Sequence, residues 1–186
     1  IVIGIGAVVA LISIGSGMQY SITKQLEQFG VNKIIVMPEV SGGFGPPTGA
    51  AEELTPTDLE RIKDVKGVDV AIPIVSSTLP IEYKGKRATV YVTGIPPKES
   101  RVFFSDVQSY ELEAGRYMEE GEKYSAFIGN RLKHDVFDED IGLKDKIKIK
   151  DNDIKVIGIL KPIGNPQDDS SIIMSIDTLR ELINNP

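Results

Sequence analysis

The chain has 186 residues, enough for one domain or two small ones sharing a core, and 41% of them are hydrophobic. Its 21 Lys and Arg stand against 27 Asp and Glu, a formal net charge of -6, which argues against nucleic acid and anionic lipid head groups because both demand a surplus of cations. Cysteine is absent, which excludes disulfides and thiolate metal sites, and any His-based metal site or Ser-His-Asp triad would rest on the single histidine, His134.

The first element is "IVIGIGAVVALISIGSGMQYS". As a dinucleotide fingerprint it fails. Val9 stands where the third glycine should be, only three residues precede Gly4, and the first acidic residue, Glu27, falls in an amphipathic pattern. As a membrane segment it fits better. No charge occurs before Lys24, residues 1–14 are apolar, Gly or Ala apart from Ser13, and Gly and Ser at 4, 6, 13, 15, 16 and 17 suit close packing in lipid. Two alternatives stay open, a buried N-terminal helix of a soluble protein and a cleaved signal peptide, although the latter's basic region and cleavage site are not evident. The chain starts at Ile1 without an initiator methionine, so it is read as a piece of a longer protein. From Met18 the apolar positions Met18, Ile22, Leu26 and Phe29 recur at helical spacing, and Gly30 stands at a C-cap position. One long helix over residues 1–29 is therefore expected, leaving the membrane near residue 17.

Further along, Lys33–Met37 reads as a short strand and the glycine- and proline-rich segment 41–49 as a flexible loop. "LTPTDLERIKDV" carries a helix start, with Thr55 at the N-cap, Pro56 at N1 and Asp58 at N3; Leu59 and Ile62 are expected to face inward and Gly67 to end it. Strands are expected at Val68–Val75, Thr78–Tyr83 and Arg87–Thr93, the last two joined by a turn at Lys84-Gly85-Lys86. After "TGIPP" come a mixed region, a strand at 125–129, a helix at 130–137, and a hairpin of 146–150 with 154–160 across Asp151-Asn152-Asp153. A loop, a last strand and a last helix with Asp177 near its cap complete the order, an α+β layout in which 100–162 is expected to be an insertion.

No residue set reads as an active site. His134 with Asp135, Asp138, Glu139 and Asp140 lacks the alternating ligands and central Gly of an EF-hand and reads as a solvated helix end with an acidic loop. Glu52-Glu53 and Glu119-Glu120-Gly121-Glu122 lie in polar loops with no burial signal to raise a carboxyl pKa. "GGFGPPTG" lacks the Lys-Ser/Thr ending of a P-loop, Ser16 reads as a packing residue, and Phe103 and Phe104 read as core. No catalytic, cofactor-binding or metal residue is assigned, no cofactor is expected, and the chain is not read as an enzyme.

Taken in order, "SITKQLEQFGVNKIIVMP", "LTPTDLERIKDVKGVDVAIPIVS", "ATVYVTGIPPKES", "ELEAGRYM" and "SAFIGNRLKHDVFDEDIGLKDKIKIKDNDIKVIGIL" resemble the extracytoplasmic domain of MacB/FtsX-type ABC transporter permeases, the MacB-like periplasmic core domain. The likeness covers nearly the whole chain. It departs at Asp151-Asn152-Asp153, where the family often has Asn-Gly, and at Pro186, beyond which the family would continue into further membrane helices.

The resemblance implies a porter-like α/β sandwich layer with an inserted second mixed lobe, preceded by the end of a transmembrane helix. The expected division is 1–17 as the end of that helix, 18–30 as its continuation out of the membrane, 31–99 as the first part of the porter-like subdomain, 100–162 as the inserted lobe and 163–186 as the returning strand and helix. It implies a place in the cell membrane with the domain on the extracytoplasmic face and residues 1–17 in the bilayer; the charge balance adds that no nucleic-acid partner is expected. The resemblance also implies a cytoplasmic ABC ATPase subunit or domain, which would carry the ATP hydrolysis, a second permease copy as homodimer, and an extracytoplasmic adaptor or substrate. The expected role is to transmit ATP-driven motion of membrane helices outward in efflux or export. The alternative is a non-transport regulator or sensor of FtsX type that binds an extracytoplasmic protein or peptide.

Overall fold

The computed structural model describes residues 6, 9–20, 34–38, 54–107 and 110–183. The glycine-rich segment 41–49, the helical pattern expected over 21–29, and Glu52-Glu53 lie outside the described residues. Residues 9–20 form a helix, α1, every residue of which is exposed, including Leu11, Ile12, Ile14 and Met18. A helix that is apolar on every side has no watery face, which is the pattern of a segment covered by lipid or by other helices. Among the described residues no helix is long and apolar enough to cross a membrane.

Helix α2 spans Pro56–Lys63. Its start is the one read from the sequence: Thr55 caps the Asp58 amide, and the Asp58 carboxylate accepts from the Thr55 amide at 2.9 Å, a reciprocal capping box that satisfies two otherwise orphaned backbone groups. Its packing differs from expectation. No residue of α2 is buried; Leu59 and Ile62 are only half-buried, and the helix ends at an Asp64 cap rather than at Gly67.

The remaining elements build one mixed sheet. In chain order they are β1 (Val75–Tyr83), β2 (Lys86–Ile95), a helical stretch with α3 (Ser100–Val102) at its centre, β3 (Leu112–Gly115), β4 (Ser125–Ile128), α4 (Asn130–His134), β5 (Lys146–Ile149), β6 (Asn152–Leu160), β7 (Ile172–Ser175) and α5 (Ile176–Ile183). β1 and β2 pair in register from Val75↔Gly94 to Tyr83↔Lys86, which leaves Lys84-Gly85 as a two-residue loop. Both loop residues take positive φ, 47° and 81°, the primed-turn geometry whose twist matches that of the strands and which glycine adopts without strain.

Strand order is β3-β6-β4-β7-β2-β1-β5, and β5 pairs back onto β6. Long β6 makes the closure possible. Its first half, Asn152–Lys155, pairs with β5; its last residues, 158–160, pair with β3 on the same side; β4 lies along its other side. Every strand except β3 thus belongs to a closed ring, which leaves few open edges. Alternate residues fill its interior: Ile81, Val92, Ala126, Ile128, Ile147, Ile149, Ile154, Val156, Ile172 and Met174, joined by Leu132 of α4 and Leu179 and Leu182 of α5. A second cluster covers the other face, where Phe103, Phe104 and Met118 pack on Ile95, Phe127, Ile157 and Ile173.

Three expectations need correcting. Residues 34–38 form no strand, and Ile34–Met37 are exposed instead of paired. The strand expected at Val68–Val75 does not form; residues 68–74 are irregular, with Val70 and Ile74 exposed, and Val75 opens β1, the strand expected from Thr78. β-branched composition makes a segment fit for a sheet, but it supplies no neighbour to bond to. The helix expected at 130–137 stops at His134, where Asp135 caps it. The segment 100–162 contributes β3 to β6 to the same hydrogen-bonded sheet as β1, β2 and β7.

A half-buried polar link holds the β1 end to the 141–146 turn. The Asp145 carboxylate accepts from the Gly142 amide at 2.8 Å and from the Tyr83 hydroxyl at 2.7 Å. These two hydrogen bonds hold the carboxyl below the ordinary carboxylate pKa, while burial and then the neighbouring Asp145 push the Tyr83 hydroxyl up. With the folded pKa of Asp145 depressed, its stabilisation is present above the unfolded value of about 4 and is lost as pH falls through the folded value. Thermal melts between neutral and acid pH are expected to show the wild-type advantage over Asp145→Asn shrinking below about pH 4. An advantage independent of pH would contradict this role.

Candidate functional site

The acidic stretch after α4 is tied up by its neighbours. His134 Nδ1 lies 2.8 Å from Asp140 Oδ2, Lys86 pairs with Asp138 at 2.6 Å, and Lys84 pairs with Glu139. Among the described residues no group of three or more His, Cys, Asp or Glu could hold a metal ion. The other acidic turn is also structural. Glu122 accepts from both Arg116 terminal nitrogens, at 2.8 and 2.7 Å, and from the Glu119 amide at 3.0 Å; the Arg116 contact holds its carboxyl below the usual range. Glu120 is exposed beside it. Phe103 and Phe104 lie in the second core cluster, Phe104 edge-on to Phe127 at 4.6 Å between centroids. Ser16 is exposed on α1.

A cleft of about 370 Å³ lies between β2, α4 and the loop before β7. Gly129 sets its depth: a Cβ there would lie 2.3 Å from the Asp169 carbonyl oxygen, so only glycine lets the loop approach α4 so closely. Two backbone bonds hold the approach, Gly129 N–H to the Ser171 carbonyl and Leu132 N–H to the Asp169 carbonyl, both 3.0 Å. The loop is braced internally by the buried Asp169 carboxylate, which accepts from the Ile163 and Gly164 amides at 2.9 and 3.1 Å. Asp168 beside it is pushed up in pKa by burial and then by the Asp169 charge. Val90 and Val136 give the cleft apolar wall, while Thr89, Tyr91, Arg131, Asp135, Gln167 and Ser170 give it polar groups. None of these is singled out by the sequence as a site residue except Asp135; they come from three distant segments, and no local spacing joins them.

The MacB-like periplasmic core domain family matches the chain over residues 1–186. The chain belongs to this family. It is 40% identical, over its whole length, to an uncharacterized ABC transporter permease of Methanocaldococcus jannaschii, of which it covers 45%. It is 29% identical over 167 residues to the macrolide export ATP-binding/permease protein MacB of a Shewanella species, matching 87% of this chain and 25% of that protein. The chain therefore spans less than half the length of these relatives. Two solved structures share the fold. The extracellular domain of the noncanonic ABC-type transporter YknZ from Gram-positive bacteria superposes with a TM-score of 0.57 at 18% identity, over 70% of this chain and 67% of that one. The periplasmic region of MacB from Actinobacillus actinomycetemcomitans gives 0.56 at 17% identity, over 70% and 58%. The mixed α+β fold of this MacB-like domain is thus the fold of transporter domains outside the cytoplasm.

Proposed function

We propose that this MacB-like domain is the extracytoplasmic part of an ABC transporter permease subunit, and that it passes ATP-driven motion of the membrane helices to a substrate or partner outside the cytoplasm. The family match over the full chain carries this reading. The exposed, all-round apolar α1 supports it as the end of a membrane helix. ATP hydrolysis would belong to a cytoplasmic subunit or domain. A second copy of the permease and an extracytoplasmic adaptor or substrate complete the proposed assembly. The closed sheet suits force transmission, because strands bonded on both sides resist shear and a push arriving at one end moves the body as a unit.

The absence of cysteine offers a direct test of sidedness. In the full permease, with any cysteines elsewhere removed, Glu120→Cys places a thiol on an exposed turn. A membrane-impermeant maleimide is expected to label it on intact cells. Labelling only after the cells are permeabilised would place the domain inside and overturn the reading.

A further inference from the structure

The cleft beside α4 brings one guanidinium, Arg131, together with hydroxyl and amide side chains. Four of its polar side chains, Thr89, Tyr91, Gln167 and Ser170, have no hydrogen-bond partner among the described residues. Tyr91 and Ser170 are half-buried as residues, and their hydroxyls are not spent on protein partners. Arg131, on the same cleft, has one ionic partner among the described residues, Asp135, and that contact is a loose 4.0 Å on the exposed α4 surface. By contrast Arg116 spends both terminal nitrogens on Glu122. A guanidinium with its fork uncommitted, flanked by hydroxyl and amide donors and by an apolar wall, matches a carboxylate on a short apolar stem.

We propose that this cleft binds a peptide carboxylate, with Arg131 as the charged anchor and Tyr91, Gln167 and Ser170 as supporting donors. The cleft of about 370 Å³ leaves room for a few small residues beside the carboxylate. Asp135 is the only acidic side chain among the described residues that line the cleft, and it competes with the ligand for Arg131. The two charges therefore have opposite effects. Removing the Arg131 charge abolishes the anchor; removing the Asp135 charge frees it. The site does not depend on which side of the membrane the domain faces, so its test stands apart from the labelling experiment above.

The test is fluorescence anisotropy with the full permease in nanodiscs and peptides labelled at the N-terminus with an uncharged BODIPY dye. The probes are Ala-Ala-Ala with a free C-terminal carboxylate, the same peptide amidated, and Ala-Asp-Ala amidated. Binding of the free acid but of neither amide supports a C-terminal carboxylate; binding of the Asp peptide as well supports a carboxylate from either source. Arg131→Gln is expected to weaken binding at least about tenfold, and Asp135→Asn to tighten it about twofold to fivefold. Both side chains are exposed, so unchanged melting temperatures confirm that the variants are folded. Equal binding of acid and neutral amide, no binding of either carboxylate probe up to about 10 mM, or an Arg131→Gln variant that binds like wild type would overturn the proposal.

Discussion

Replacing Phe104 by Ala is expected to cost about 3–5 kcal/mol of stability, measured by urea unfolding of the domain. Phe104 is fully buried and stands at the centre of an aromatic cluster. Its ring meets Phe127 at 4.6 Å, Phe103 at 5.6 Å, Tyr117 at 5.8 Å and Tyr110 at 6.1 Å. Phe127 is on β4, on the outer face of the ring, whereas Phe104 comes from the helical stretch after β2, so this one side chain fastens that stretch to the sheet. Truncation removes the contacts and leaves a cavity that the rigid sheet on one side cannot close. A loss below about 1 kcal/mol would show that the helical stretch is held elsewhere. Exposed Arg101, whose guanidinium lies over Tyr117 at 5.1 Å, makes the contrast: its replacement should cost far less, because that ring already has its apolar partner.

What the sequence made legible is local. Thr55 and Asp58 stand three apart, so their reciprocal cap can be read from the chain alone. Gly85 between two β-branched runs marks the β1–β2 hairpin for the same reason. Phe103 and Phe104 could be placed in the core from size and apolarity. The misses are long-range. Nothing near β6 reveals that its two halves face different partners, since that depends on β5 and β3 arriving along the same side. Likewise chain order suggests an insertion at 100–162, and nothing local signals that β4 lies between β6 and β7 in space. The cleft was illegible because Tyr91, Arg131 and Gln167 come from three separated segments. Of its architecture the sequence marks only Gly129, as the end of a strand, with no sign that a loop would pack against it.

The largest functional effect is expected from Gln19→Gly combined with Tyr20→Pro on α1. Both side chains are exposed, and the buried clusters draw on residues beyond 70, so the domain should fold as before. Locally the change is severe. Pro at 20 removes the hydrogen bond to the carbonyl one turn earlier and clashes with it, at about 3 kcal/mol, and Gly adds roughly 1 kcal/mol. In the proposed rod, which would continue α1 beyond the described residues, the break falls where the composition changes from apolar to mixed. A stiff helix carries displacement along its axis; a broken one bends instead. Melting temperature of the domain should not move, which separates loss of coupling from loss of fold.

ATP hydrolysis measured beside transport, or beside activation of an outer partner, in membranes reconstituted with this double variant tests the transmission role most directly. Hydrolysis that persists while transport or activation falls is the expected result. Hydrolysis and transport both at wild-type levels would contradict a role for α1 as the transmitting element.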